Sequence, residues 1–164
     1  MNATTPIARW RAARELPAKS PRGWVVEFAV TADGTLPALD YMEEIDASSD
    51  RDRPVLPTDV SRLLGLLEVT QFNGPDRLVS RTQIEMFVGD DKKDGMCELR
   101  IGSKNGHRLI CFKRPEKRFI VACGFPKPSQ SETPPKEKAR AREILHEHEG
   151  RAVRQARAFR TQSA

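Results

Sequence analysis

Two arginines flank the tip of a short β-hairpin in this sequence, within segments that are otherwise apolar. Arg100 precedes a Gly/Asn-containing turn at 102–106, and Arg108 follows it. If the hairpin closes symmetrically about Lys104, the two arginines lie opposite each other on one face of the sheet. Like charges in that position destabilise a sheet by a few tenths to about 1 kcal/mol. A phosphate held between two guanidinium groups removes the conflict, so the pair predicts an anion-binding site.

Further basic residues add positive field to this region. They are Lys104, Lys113, Arg114, Lys117 and Arg118. The chain has a formal net charge of +5 and a pI of about 9.4, a balance that favours a polyanionic partner such as nucleic acid. The alternative is a solvated sheet face on which each arginine pairs with a glutamate such as Glu98. Phe112 and Phe125 lie near the arginines, and they are more typical of a core than of base stacking.

The elements that hold this hairpin follow from the apolar pattern. The predicted strands are 24–30, 96–101, 107–113 and 118–123, with a weaker one within 78–88. The predicted helices are 36–47, 58–72 and one that begins with Thr133 as N-cap and runs to about 149. Connections are short, which indicates an α+β fold. We expect a small antiparallel meander with two N-terminal-half helices on one face and a C-terminal helix.

The 164 residues fit one folded domain with two extensions. Residues 1–22 carry five basic residues and three prolines, which predicts a flexible basic tail. Residues 23–149 form the predicted domain. Residues 150–164 are an Arg-rich extension, which either makes nonspecific contacts to nucleic-acid phosphates or is a disordered solubilising tail.

Cysteines and histidines give no sign of a disulfide framework or a metal site. Cys97, Cys111 and Cys123 each lie inside an apolar run and are interpreted as small buried hydrophobes in a reducing compartment. His146 and His148 are two residues apart on a helix, whereas ligands on one face need a spacing of three or four. Both are interpreted as solvated. No apolar run approaches the ~18 residues that span a membrane, so we expect a cytoplasmic protein without membrane contact.

Several of these segments together resemble the RelE/HigB superfamily of toxins, most closely its HigB-like, phage-related branch. They are ELR at 98–100, HRLICF at 107–112, CGFPKPSQ at 123–130 and TPPKEKARAREIL at 133–145. The resemblance implies a RelE-like fold and an endoribonuclease of a type II toxin–antitoxin pair. Such an mRNA interferase cuts mRNA on the ribosome by attack of the 2′-hydroxyl, without a metal or other cofactor. The implied partners are mRNA, ribosomal RNA and a helix-turn-helix antitoxin.

The resemblance also assigns roles to individual residues. Arg108 matches the arginine that contacts the scissile phosphate and stabilises the pentavalent transition state. Arg100 matches the arginine of the ELR motif, and Lys127 matches a lysine that adds positive charge or transfers a proton. Pro128 stands where the family has a second lysine, and Tyr41, in the first predicted helix, is in the wrong place for the family's functional tyrosine.

Three functional hypotheses follow. The leading one is the mRNA interferase. The second keeps the fold but not the catalysis, as in a gyrase-inhibiting ParE-like relative or a degenerate phage protein that binds nucleic acid or a partner. The third is a basic RNA-binding domain unrelated to toxins. No general base is assigned, since His107 is expected on the core side of its strand, away from Arg108, as a structural histidine.

Overall fold

The described residues form a mixed sheet of five strands with helices on both faces. A computed structural model describes residues 6–13, 23–48, 59–76, 84–86, 90–101, 106–129 and 132–162. The helices are α1 Pro6–Ala13, α2 Pro37–Ser48, α3 Asp59–Asn73, α4 Asp90–Lys93 and α5 Pro135–Gln162. The strands are β1 Val25–Phe28, β2 Ile84–Met86, β3 Met96–Ile101, β4 His107–Arg114 and β5 Arg118–Pro126. Their order across the sheet is β1-β5-β4-β3-β2.

The predicted α+β class and the antiparallel meander of β3, β4 and β5 are confirmed. β3 has its predicted bounds, and β5 continues three residues further than expected. One pairing was not predicted: β1 lies parallel to β5, with Val25 beside Arg118. The chain between these two strands includes two long helices and two strands of the meander, so the local apolar pattern carries no information about their relative direction.

One face of the sheet packs against α1, α2 and α3. The hairpin residues predicted to form the core are all buried on this side; they are Cys97, Leu99, Ile101, Leu109 and Cys111. The largest helical contributions come from Leu39, Met42, Leu63 and Leu67. All three cysteines are unpaired and buried, as expected, and burial raises the pKa of Cys97 to about 12. These thiols are packing groups, since thiolate formation at neutral pH is suppressed.

The opposite face, which carries the arginines, is covered in part by α5. Ala141, Ile144 and Leu145 of this helix pack on a second apolar cluster that includes Ile110 and Phe112. The helix begins at Pro135 rather than Pro134, and it passes Gly150 without a break. The Arg-rich extension is therefore helical to Gln162. None of the described helices is both long enough and apolar enough to cross a membrane.

The predicted flexible tail at 1–22 is wrong for residues 6–13, which form α1. Trp10 is 5% exposed, and its ring stacks on Phe28 at a centroid distance of 5.6 Å. Arg11 donates to Asp40 at 2.7 Å and to Glu43 at 2.6 Å on α2. One tryptophan and one arginine therefore dock a helix too short to show an apolar repeat. Residues 1–5 and 14–22 lie outside the described residues.

Candidate functional site

The β3–β4 hairpin places Arg100 and Arg108 directly opposite each other. Their Cα atoms are register partners, as are those of Leu99 and Leu109, so the predicted register is confirmed. Side chains alternate along a strand, which turns both arginines to the α5 face, away from the larger core.

A buried glutamate lies between the two guanidinium groups. Glu98 is 0% exposed, and its Oε1 accepts from Nε of Arg100 at 2.9 Å and from Nη1 of Arg108 at 2.5 Å. Its other oxygen, Oε2, accepts from the hydroxyl of Thr133. The sequence interpretation made Thr133 a helix cap, but its hydroxyl serves this carboxylate instead. Two guanidinium groups therefore share one carboxylate oxygen.

The two arginines differ in the solvent exposure of their side chains. The side chain of Arg108 is 7% exposed and that of Arg100 is 31% exposed. Burial lowers the pKa of Arg100, and the positive charge of Arg108 lowers it further. A dissolved anion can therefore contact the side chain of Arg100, whereas the buried side chain of Arg108 contacts Glu98. The resemblance had placed Arg108 in the contacting role.

Lys127 lies at the same end of the sheet. Its backbone N–H donates to the carbonyl of Gly106 at 2.9 Å, just past the end of β5, and its side chain is exposed. Phe125 is the register partner of Arg108 on β5, precedes Lys127 by two residues and is buried. The structure thus gathers Arg100, Arg108 and Lys127 across three adjacent strands. Lys104 lies outside the described residues.

The other four basic residues predicted to bind RNA lie at the far end of the sheet. Arg114 is six residues along β4 from Arg108, a separation of roughly 20 Å. Arg114 pairs with Glu149 at 2.7 Å, and Arg118 pairs with Glu27. Lys113 bonds Asp76 at 3.1 Å, and Lys117 lies exposed in the β4–β5 turn. These residues are not part of the Arg100 site, and Lys113, Arg114 and Arg118 each pair with an acid.

A comparison with known families decides the classification. Residues 55–146, which are 92 of the 164, match the family described as phage-derived protein, Gp49-like. The chain belongs to this Gp49-like family. The Gp49-like family is one of the RelE/HigB-like toxin families. The matched region runs through β2 to β5 into α5 and therefore includes Arg100, Arg108 and Lys127. No curated protein matches the chain.

In this Gp49-like chain the tertiary structure brings Tyr41 to the same end of the sheet. Its hydroxyl lies 2.6 Å from Nδ1 of His107. A Cβ at Gly124 would lie 2.1 Å from a carbon of the Tyr41 ring, so only glycine permits this approach. Both partners lie on the α2 face, opposite Arg108, and do not assemble with the arginines. Tyr41 also lines a cleft of about 440 Å³ between α2, β5 and α5.

His148 of the Gp49-like chain is not solvated as predicted. Its Nδ1 accepts from the backbone N–H of Val30 at 3.1 Å, which places the proton on Nε2, 2.9 Å from Glu27. Arg118 donates to the same carboxylate. His148 thus ties α5 to β1. Within the described ranges no group of three His, Cys, Asp or Glu side chains is arranged to hold a metal ion.

Replacing Glu27 by glutamine is expected to flatten the acid end of the stability profile. Burial raises the pKa of Glu27, but hydrogen bonds from His148 and Arg118 outweigh it and lower the pKa below 4.5. The resulting stabilisation is present above the unfolded pKa and lost as pH falls through the folded one, from about pH 5 downwards. Urea unfolding should give Glu27→Gln a deficit of about 1–2 kcal/mol at neutral pH that shrinks as the pH is lowered through the folded-state pKa of Glu27. The exposed Glu143→Gln serves as control; an unchanged pH profile in Glu27→Gln would contradict the assignment.

Proposed function

We propose that this Gp49-like protein is the toxin of a type II toxin–antitoxin system, in the HigB-like branch, and that it cleaves mRNA on the ribosome. Family membership supports a toxin of the RelE/HigB kind. The observation that carries the chemistry is the pair Arg100 and Arg108, whose guanidinium groups lie on one carboxylate oxygen, with the side chain of Arg100 partly exposed. Such a group is suited to a phosphodiester.

In the proposed reaction the 2′-oxygen of the substrate attacks the adjacent phosphorus, and the bond from phosphorus to the 5′-oxygen breaks. Water takes the proton of the 2′-hydroxyl and supplies one to the leaving 5′-oxygen, which leaves a 2′,3′-cyclic phosphate on the upstream fragment. The proposed reaction uses no metal or other cofactor. Negative charge increases on the phosphoryl oxygens in the transition state. Arg100 stabilises this charge, Lys127 adds positive field, and Arg108 positions Arg100 through Glu98.

The partners proposed with this activity are ribosome-bound mRNA, ribosomal RNA and a helix-turn-helix antitoxin. A second function is favoured by one observation: Arg108, the arginine that the resemblance makes catalytic, is almost fully buried and paired with Glu98. That arrangement suits a non-catalytic module of the same fold, which inhibits gyrase or binds another partner without cutting RNA.

Induced expression in bacteria separates the two functions. Wild type is expected to arrest growth and to produce 5′ ends within translated mRNA that are phased with codons. Arg100→Gln should abolish both, whereas Arg62→Gln, an exposed charge on α3, should change neither. The readout is transcriptome-wide mapping of 5′ ends. Growth arrest without new ends, or with DNA damage instead, would support the non-catalytic module and exclude the interferase.

A further inference from the structure

In the last three turns of α5 every charged residue is an arginine. Residues 152–162 are all exposed, and we refer to them as the C-terminal arm. At 1.5 Å per residue the arm is about 16 Å long. It contains Arg154, Arg157 and Arg160, and the sequence has no acidic residue after Glu149. The helix is anchored at the base of the arm by Arg151, whose Nη1 donates to the carbonyl of Thr31 at 3.3 Å.

The arginines of the arm differ in electrostatic surroundings from the basic residues on the sheet. Lys113, Arg114 and Arg118 each pair with an acid. Within the described part of the chain, no carboxylate lies within ion-pair distance of the three arm arginines, and no acid stands three or four residues away on the helix. Their charge is therefore available to an external anion.

The spacing of these arginines suits a rounded partner. Three residues rotate a helix by about 300° and advance it by about 4.5 Å. The three side chains thus wind over a third of the circumference instead of forming one flat row. A guanidinium group grips a phosphate through two parallel donors, and a band of this kind reaches phosphates on both sides of a groove.

The same charge argues against pairing of the arm with a second copy of itself. Two arms side by side would bring six arginines together with no acid between them. The large apolar side chains of the arm are Val153 and Phe159, six residues apart, which do not repeat as a helix–helix contact requires.

We propose that the C-terminal arm binds the phosphate backbone of double-helical ribosomal RNA without reading its sequence. The choice of RNA rests on the proposed function, whereas the binding is independent of cleavage. Each phosphate that the protein neutralises releases counterions. This release steepens the slope of log affinity against log salt concentration by about 0.7 to 0.9. Three arginines should contribute about 2 to 3 to this slope.

The test compares two triple variants of the full chain. One is Arg154→Gln, Arg157→Gln and Arg160→Gln; the other, with the same change of charge, is Arg62→Gln, Lys92→Gln and Lys136→Gln at exposed positions elsewhere. Glutamine keeps the helix propensity of arginine, which circular dichroism verifies. The probe is a fluorescent duplex of ribosomal RNA sequence, and fluorescence anisotropy is followed across a salt series.

The arm variant is expected to bind roughly 10- to 100-fold more weakly at physiological salt, with a slope smaller by about 2 to 3. The control should retain both the affinity and the slope within error. Equal losses in both variants, or no binding by wild type, would overturn the proposal. So would unchanged RNA binding together with loss of a dimer in sedimentation. A wild type that binds the duplex but leaves cellular mRNA intact would reject the interferase and not the arm.

Discussion

Replacing Glu98 by glutamine is expected to lower the free energy of unfolding by about 3–5 kcal/mol, because it removes one partner of a buried ion pair. The carboxylate of Glu98 is fully buried and accepts from two guanidinium groups and one hydroxyl. A glutamine of the same shape offers one acceptor oxygen and no charge. Arg100 and Arg108 then repel each other across the hairpin. Urea denaturation should show a lower midpoint with an unchanged m-value.

Two further variants make this expectation specific to the charge cluster. Glu132→Gln removes an exposed carboxylate one residue before Thr133 and should cost less than about 0.5 kcal/mol. The double variant Glu98→Leu with Arg108→Met replaces the buried pair by apolar side chains and should recover most of the lost stability. A double variant as unstable as Glu98→Gln would show that Glu98 acts through packing and not through its charge.

Replacing Arg100 by glutamine is expected to lower the rate of mRNA cleavage by about 10²- to 10³-fold, the usual effect of removing one transition-state donor. The side chain is partly exposed, so the fold should retain its melting temperature within a few degrees. Arg100→Lys should restore only part of the rate, because an ammonium group lacks the paired donors of a guanidinium. The measurement is primer extension on ribosome-bound mRNA with purified protein.

The matching change at Arg108 separates positioning from phosphate contact. Arg108→Gln should lose stability as well as activity, since it removes the innermost partner of Glu98. Arg108→Lys, which keeps the charge, should recover stability more than activity. The opposite result is that Arg108→Lys folds normally and is inactive while Arg100→Gln still cleaves. Arg108 would then contact the phosphate, as the resemblance implied, and the roles inferred from exposure would be wrong.

The hairpin could be predicted closely because its signals are local. Alternation of apolar and polar residues predicted which face of β3 and β4 enters the core, and the register assumed for a hairpin closing symmetrically about Lys104 is the one that opposes Arg100 and Arg108. Helices α2 and α3 were likewise visible in apolar spacing. α1 was missed because its docking depends mainly on Trp10 and Arg11, and eight residues carry too little pattern to predict a helix.

The character of the site was decided by contacts between residues far apart in sequence. Thr133 bonds Glu98 across 35 positions, His148 reaches Glu27 across 121, and Tyr41 reaches His107 across 66. Periodicity describes neighbours within one element, so it does not reveal such pairs. Glu98 was named as a possible partner of the arginines, but its contact with Thr133, which comes from far along the chain, is set by the fold.

By itself the sequence determined the strands of the meander, the face on which both arginines lie and the family resemblance, all of which follow from residue types at short spacing. Only the tertiary structure decided the surroundings of the pair: Glu98 lies between the two guanidinium groups, Arg108 is buried and Arg100 is partly exposed. The reason is physical, since the effect of a charge depends on its distance to other charges and on its exposure to water. Both quantities are properties of the folded chain.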